Sequence, residues 1–418
     1  MMDNRLGDGF QRKENRTSLA ISRVTQSQIV LVPYFFSAIQ PRGQINTMEV
    51  TSSYLPSLQK YVGYLEGIYA RCRLTNNGPL ACELAARLED YLGVRNLILV
   101  SNGSAALELA YHALDISGSV VTTPFSFPAS SSVPAWNGID PSFADIDPHT
   151  WNIDPDQIES AIRSDTTAIS PVHVYGNPVD DVRVSAIARR HGLRVIYDAA
   201  HCFGTRKAGR SILDQGDASA ISFHATKTFH TIEGGAVIFR DDAICERARR
   251  MINFGFDAVT GDIVDLGTNL KMSEVHAAMG LAVLDDVDYI LSHRRHLLAL
   301  YMHKLGDYVQ CQRIDAEVTN GGGYMPIALA DTATCERVYQ HLGNLGIATR
   351  RYFHPSLDTT VPYARFGTTR YSRDIADRVL CLPLHTKLSP NDVETVCTAV
   401  LAGIRDTAPR LVSLAGIV

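Results

Sequence analysis

The sequence has no CxxC or CxxH spacing, no excess of basic residues and no apolar run long enough to cross a bilayer. Its eight cysteines are scattered over 418 residues, which excludes a zinc ribbon or a disulfide framework and favours reduced thiols in the cytoplasm. Lys and Arg number 39 against 44 Asp and Glu, a formal net charge of −5. We therefore expect no nucleic-acid partner and no membrane contact, and any anionic ligand must be bound by local geometry.

The composition is that of an ordinary globular protein, with 45% hydrophobic and 20% charged residues. From residue 80 onward, helical patterns alternate with short apolar runs. The pattern predicts strands at 97–100, 120–122, 143–144, 168–172, 195–197, 220–223 and 236–239, and helices at 80–92, 105–114, 131–136, 158–162, 182–191 and 242–252. Strands that are apolar on both faces and separated by helices are typical of an α/β protein with a mostly parallel sheet sandwiched by helices.

The alternation stops after residue 285, where 289–305 reads as one long helix followed by the glycine run 320–323. Further strands are predicted at 324–330 and 379–382 and further helices at 335–345 and 391–404. The predicted organisation is an N-terminal extension at 1–45, a large ligand-binding domain at 46–288 and a smaller α+β C-terminal domain at 289–418. The extension is polar at its start and lacks the apolar segment of a secretory signal.

Three segments that follow predicted strands carry chemically capable residues. The run Ser101 to Ala106 opens a helix, where free N–H groups can bind a phosphate. In the second segment, Asp198 and His201 follow the predicted strand 195–197. In the third, Lys227 follows the predicted strand 220–223. Taken singly, each has a plain structural alternative: a capped turn, a packed histidine beside an N-cap aspartate, and a solvated loop lysine. Together they are what pyridoxal phosphate requires, namely a phosphate cradle, a carboxylate for the ring nitrogen and a lysine for the Schiff base.

The chain resembles the sugar aminotransferase family known as the DegT/DnrJ/EryC1/StrS group, fold type I pyridoxal-phosphate enzymes, from about Asn76 to Val400. The matching segments, in order, are 77–79, 102–107, 123–127, 145–147, 171–178, 198–201, 222–227, 233–235, 269–274 and 382–385. Three of them depart from the usual pattern: Asn102-Gly103-Ser104 stands where many members have Ser-Gly-Thr, His201 where many have glutamine, and Lys271 where an arginine is usual. The first and the last keep the chemical character of the position.

The resemblance implies that Lys227 and Asp198 are catalytic, the first forming the Schiff base with pyridoxal phosphate and the second pairing with its pyridinium nitrogen. His201 would lie near the ring hydroxyl, and Phe127 would stack on the ring. The phosphate would be held by the segment around the glycine turn and by one serine beyond it: Gly103, Ser104, Ala105 and Ser222.

The resemblance also implies a homodimer with shared active sites, because Asn269 would reach the phosphate of the cofactor in the other subunit. Tyr352 and His354 lie where the family's C-terminal domain covers the substrate. Each of these residues has a structural alternative: Asn269 can cap a turn or helix, and Tyr352 and His354 can be surface residues. Core packing is the corresponding alternative for Phe127.

Segments 136–138, 147–155, 171–178 and 223–227 are most similar to those of enzymes that aminate C4 of dTDP-4-keto-6-deoxyglucose. Such enzymes take the amino group from L-glutamate, release 2-oxoglutarate, pass through pyridoxamine phosphate and form dTDP-4-amino-4,6-dideoxyglucose, in deoxysugar and antibiotic biosynthesis. The alternatives are a 3-aminotransferase acting on a dTDP-3-keto-6-deoxyhexose and a pyridoxal-phosphate-binding protein without turnover. Lys227 argues against a sugar 3-dehydratase, in which a histidine replaces the lysine. The absence of GxGxxG after the first strand argues against a nicotinamide enzyme.

Overall fold

The computed structural model describes residues 47–405, so the extension predicted at 1–45 lies outside the described residues. The helices are α1 Leu58–Arg71, α2 Pro79–Leu92, α3 Gly103–Ala113, α4 Ala129–Trp136, α5 Pro155–Ala161, α6 Asp181–His191, α7 Asp242–Met251, α8 Glu274–Leu284, α9 Val287–Leu305, α10 Thr332–Asn344, α11 Tyr371–Arg378 and α12 Pro390–Arg405. The strands are β1 Leu97–Val100, β2 Ser119–Thr122, β3 Asp140–Phe143, β4 Thr166–Ile169, β5 Arg194–Asp198, β6 Arg206–Lys207, β7 Arg210–Ser211, β8 Ala218–Ser222, β9 Gly235–Phe239, β10 Val318–Thr319, β11 Met325–Ala328 and β12 Val379–Leu382. No helix among these residues is long and apolar enough to cross a membrane.

Seven strands form the main sheet, in the order β1-β9-β8-β5-β4-β2-β3. The pairs β2–β3, β2–β4, β4–β5 and β5–β8 are parallel, whereas β9 runs antiparallel to both β1 and β8. Each of the seven strands overlaps a predicted one, and the predicted mostly parallel sheet is confirmed. In such a sheet the segments following the parallel strands gather at one edge, which is where ligands bind in α/β folds.

Helices cover both faces of this sheet, because its strands alternate apolar side chains between the two sides. Leu97 and Leu99 of β1 pack with α2 and α8, while Ile98 and Val100 pack with α3 and α7. Helix α8 was not predicted, since nine of its 11 residues are buried and an all-round apolar helix shows no amphipathic period. Helix α1, also not predicted, packs on α8 through Ile68.

The chain after residue 289 builds a second, two-stranded antiparallel sheet from β11 and β12. Helices α10 and α12 and the later part of α9 share one buried apolar cluster with this sheet. The predicted helices at 335–345 and 391–404 correspond to α10 and α12, whereas α11 was not predicted. The domain boundary between 288 and 289 stays a prediction, and one helix, α9, runs across it.

Candidate active site

The candidate site lies at the carboxyl ends of β1, β5 and β8. These ends lead directly into Ser101, the Asp198 to His201 segment and the loop that carries Lys227. Strand β9 separates β1 from β8, and because it is antiparallel its first residue, Gly235, lies beside Ser222 and Val100 at this same edge. The sheet order therefore brings together three segments that are far apart in sequence.

Lys227 is partly buried, in a cavity that is also lined by His201, Ser222 and Tyr324. Its Nζ donates a hydrogen bond of 3.1 Å to the Tyr324 hydroxyl. Burial lowers the pKa of Lys227 from 10.5 to about 8, against the opposing attraction of Asp198. A lysine in this state supplies a substantial fraction of neutral amine near neutral pH, which is the form that attacks a carbonyl or takes a proton.

Asp198 ends β5 in a nearly closed position, with 6% of its surface exposed. Its Oδ1 accepts the Ala200 N–H at 3.1 Å. Burial raises the pKa of this carboxyl group, and the Ala200 N–H and the Lys227 charge oppose the rise. A carboxylate held this way has capacity for a cationic partner, such as a protonated ring nitrogen.

His201 belongs to a stack of rings beside Lys227. Its Nδ1 accepts the Tyr175 N–H at 3.2 Å, and burial holds its pKa well below 6.5. Its ring is stacked on that of Phe353, with the ring centres 5.8 Å apart, and meets the Tyr324 ring edge to face, with the centres 4.8 Å apart. His201 is therefore a neutral imidazole whose Nε2 carries the proton and can donate to a ligand oxygen.

The start of α3 approaches the end of β8 closely. A Cβ added at Gly103 would lie 2.8 Å from the Ser222 Cβ, so only glycine allows this approach. The Asn102 side chain caps the helix by accepting the Ala105 N–H at 2.8 Å. Ala106 is the first residue of α3 whose N–H donates to a helix carbonyl, that of Asn102. The N–H groups of Gly103 and Ser104 come before it, so with the Ser222 hydroxyl they form a cradle of donors for an anion. These residues fit a phosphate group next to Lys227.

The structure thus brings together Lys227, Asp198, His201 and Ser222, with Gly103 packed against Ser222. Tyr352 lies next to Tyr324, the hydrogen-bond partner of Lys227. The Tyr352 and Tyr324 rings meet edge to face, with their centres 5.9 Å apart. The Tyr352 hydroxyl accepts a hydrogen bond of 2.9 Å from Arg350 Nη1.

The remaining predicted site residues are Phe127, Asn269 and His354. Phe127, which follows β2, is 39% exposed. Asn269 is exposed in a segment that pairs with Asn253. His354 lies with its Nδ1 3.3 Å from the Asp377 carboxylate. Their predicted roles, like that of Ala105, stay predictions.

Sequence reasoning missed three aromatic residues of the site: Tyr324, Tyr175 and Phe353. The rings of Tyr175 and Phe353 are stacked with their centres 5.5 Å apart, and the Tyr175 hydroxyl donates a hydrogen bond to the Tyr352 carbonyl oxygen. Tyr324 directly follows the glycine run, which indicated only a domain boundary. An aromatic residue after a tight glycine turn was the available signal.

A lysine with a lowered pKa, a buried carboxylate and an anion cradle at one edge of such a sheet define a pyridoxal-phosphate enzyme. The profile of the DegT/DnrJ/EryC1/StrS aminotransferase family matches residues 60–401. The chain belongs to this family, and it is a transaminase that uses pyridoxal phosphate.

Named relatives and a solved structure agree with this membership. The chain is 40% identical over 358 residues to a dTDP-4-amino-4,6-dideoxy-D-glucose transaminase of Shigella dysenteriae, covering 84% of this chain and 97% of the relative. It is 36% identical to an enzyme of the same name in Escherichia coli, covering 85% and 98%. It also superposes on DesI, solved in the presence of its TDP-sugar product, with a TM-score of 0.81 and 34% identity over 87% of this chain and 95% of DesI.

Proposed function

We propose that this enzyme transfers the amino group of L-glutamate to C4 of dTDP-4-keto-6-deoxyglucose, giving dTDP-4-amino-4,6-dideoxyglucose and 2-oxoglutarate. The observation that carries the chemistry is Lys227 Nζ, set in a cavity beside His201 and Asp198 with its pKa lowered to about 8. The choice of sugar is supported by the names of the Shigella and Escherichia relatives and by the TDP-sugar product of DesI.

The residues at the strand ends have distinct tasks in holding the cofactor. When bound, pyridoxal phosphate supplies a carbonyl to which an amino group can be attached and a ring that withdraws electrons from the adjoining carbon. Gly103, Ser104 and Ser222 would bind its phosphate, with Ala105 in the same helical turn, and Phe127 would stack on its ring. Asp198 keeps the ring nitrogen protonated, and His201 donates to the ring hydroxyl.

Lys227 performs the proton transfers of both halves of the reaction. Its neutral amine takes the proton from Cα of glutamate in the first half. The resulting ammonium would give that proton to the cofactor carbon that carries the amino group. In the second half the amine would take a proton back from that carbon and the ammonium would deliver it to C4 of the sugar, so that the lysine ends each half unchanged. A pKa of about 8 suits both directions, because the amine and the ammonium are then both populated near neutral pH.

A second copy of the chain completes the site in this proposal, with Asn269 reaching the cofactor phosphate of the partner subunit. The segment leading to Asn269 exposes apolar side chains, namely Phe254, Phe256, Ile263, Val264 and Leu266. An apolar surface of this extent next to a ligand site is typical of a protein interface. Analytical ultracentrifugation should therefore give the mass of a dimer.

In this proposal Tyr352 and His354, in a C-terminal domain that starts near residue 289, bind the sugar. Tyr352 has the stronger structural support, because its ring contacts Tyr324, the partner of Lys227. The cytoplasmic location and a role in antibiotic biosynthesis stay predictions.

The deciding experiment follows the visible absorbance of the enzyme loaded with pyridoxal phosphate. L-glutamate should remove the absorbance band of the lysine-bound cofactor, and dTDP-4-keto-6-deoxyglucose should restore it. NMR of the product then gives the position of the new amino group. Amination at C3 would refute the proposed regiochemistry, and a band that does not respond to glutamate would indicate cofactor binding without turnover.

A further inference from the structure

Among the described residues, Tyr324 accepts a hydrogen bond from Lys227 Nζ. It follows the run Asn320 to Gly323, which the reaction scheme above does not use. The Nζ also lies 5.6 Å from the centre of the Tyr324 ring. The lysine ammonium therefore has both the hydroxyl oxygen and the ring of one tyrosine as neighbours.

The Tyr324 ring is held in place by aromatic residues from three other segments. It meets His201 edge-on at 4.8 Å, Tyr175 at 5.7 Å with a tilt of 53°, and Tyr352 edge-on at 5.9 Å. Ring pairs at these separations and angles attract one another beyond their burial. The hydroxyl group consequently has a defined position relative to Lys227.

Two arginines of α9 fix the backbone that precedes Tyr324. Arg294 donates to the carbonyl oxygens of Gly322 and Gly323 at 2.7 and 2.9 Å. Arg295 donates to those of Asn320 and Gly204 at 2.8 and 2.9 Å. Arg294 is 4% exposed, and burial lowers its pKa to about 10. A buried cation of this kind is costly unless it is fully hydrogen bonded, so the loop and the arginine specify each other.

The glycines of this loop are required by its close contacts. A Cβ at Gly321 would lie 2.1 Å from the carbonyl oxygen of Phe203, and Gly322 has φ +68°. The glycine run is therefore a packed segment of the active site that sets the position of Tyr324.

From this geometry we propose, building on the proposed aminotransfer, that Tyr324 is a further catalytic residue: its hydroxyl oxygen holds the free amino group of Lys227 in position for proton transfer. Lys227 has a free amino group once a substrate amino group has taken its place on the cofactor, which is the stage at which it moves the proton. Without an acceptor at 3.1 Å, the four-carbon side chain of Lys227 would sample several rotamers at that stage. A misplacement of about 1 Å is sufficient to slow such a step about a hundredfold.

The hydroxyl acts as a neutral acceptor, since burial raises the pKa of Tyr324 and keeps its own proton in place. Accepting a bond from the ammonium stabilises the charged form of Lys227, so removing the hydroxyl should lower the pKa of the lysine. The other titratable groups that face Lys227 are unchanged by that substitution: Asp198, His201, Cys202 and Tyr352.

The test compares wild type with Tyr324→Phe in full-length enzyme loaded with pyridoxamine phosphate, in which the lysine is free. Trace acetylation by acetic anhydride across pH 6–11, read at Lys227 by mass spectrometry, gives the pKa of the amine. Tyr324→Phe should lower this pKa by about one unit. The second measurement is the rate of the glutamate half-reaction in enzyme loaded with pyridoxal phosphate, which should fall about tenfold or more with little change in KM.

Tyr301→Phe is the matched control, because it also removes one buried tyrosine hydroxyl, bonded at 2.9 Å to the Pro383 carbonyl and remote from Lys227. It should match wild type in both measurements. Equal Lys227 pKa values and equal rates in Tyr324→Phe and Tyr301→Phe would overturn the role of Tyr324. A wild-type enzyme that does not respond to glutamate would overturn the proposed function instead, and the acetylation midpoints would still decide the contact between Tyr324 and Lys227.

Discussion

Replacing a buried aspartate by asparagine should have different effects on stability at two positions in this protein, Asp358 and Asp198. Asp358 is 1% exposed and fully engaged: it accepts bonds from Ser356 Oγ at 2.6 Å, Thr369 N at 2.8 Å and Arg373 Nε at 2.8 Å. Asp198 is 6% exposed and accepts the Ala200 N–H at 3.1 Å. The first carboxylate is therefore compensated by several hydrogen bonds and an arginine, whereas the second has the Ala200 N–H and the nearby Lys227 charge.

The expected magnitudes follow from these contacts. Asp358→Asn removes the charged partner of Arg373, whose side chain is 39% exposed, and should lower the free energy of unfolding by about 1.5–3 kcal/mol. Asp198→Asn gives up a charge-assisted bond of about 1.5–3 kcal/mol but also removes the desolvation cost of a carboxylate, which is several kcal/mol. The cofactor-free Asp198→Asn protein should thus be within about 1 kcal/mol of wild type, or more stable.

Calorimetric melting of the two cofactor-free variants tests this contrast. Because burial raises the pKa of Asp198, the cost of its charge is present above the raised pKa and disappears as the pH falls through it. Any gain in Asp198→Asn should therefore shrink on acidification. With cofactor bound, the same variant should lose about a hundredfold or more in the glutamate half-reaction. Destabilisation of both variants by the same amount would refute this reasoning.

Three further predictions concern the same region. Lys227→Ala should abolish transamination, measured by product formation, while circular dichroism stays that of the wild type; retained turnover would exclude Lys227 as the catalytic lysine. Gly103→Ala, whose new Cβ would lie 2.8 Å from that of Ser222, should weaken cofactor binding about tenfold or more in a fluorescence titration and cost about 1–3 kcal/mol of stability; unchanged affinity would contradict the phosphate cradle. Asp145→Ala removes a carboxylate that accepts the N–H groups of residues 370–372 at 2.7–2.8 Å; thermal melting should show a loss of about 2 kcal/mol, and a smaller loss in Asp145→Asn, which keeps one acceptor.

The sequence was sufficient to predict features that depend on local pattern. Most strands of the main sheet contain a short apolar run, with β3 (Asp-Pro-Ser-Phe) as an exception. Asp198 ends one such strand, and Lys227 follows another in the loop after β8. The direction of β9 could not be predicted, because a strand buried on both faces has the same composition whichever way it runs. Helix α8 was missed for a related reason, since burial on all sides removes the period that identifies a helix.

The partners of Lys227 were only half predictable. Asp198 lies on a neighbouring strand, so strand order alone brings it close. Tyr324 lies 97 residues further along the chain than Lys227, at the end of a loop whose carbonyl oxygens are bound by Arg294 and Arg295 of α9. Contacts made through backbone carbonyls carry no side-chain signature in the loop itself, so the glycine run gave no indication of them.

The way in which α9 grips that loop also makes the protein a convenient scaffold for engineering. Arg294 and Arg295 bind main-chain oxygens, so their hold is independent of the side chain that the loop presents at position 324. A library varied at that position would keep the same backbone from member to member. Differences in activity among its members would then be due to the side chain at position 324 beside Lys227, and not to a change in loop conformation.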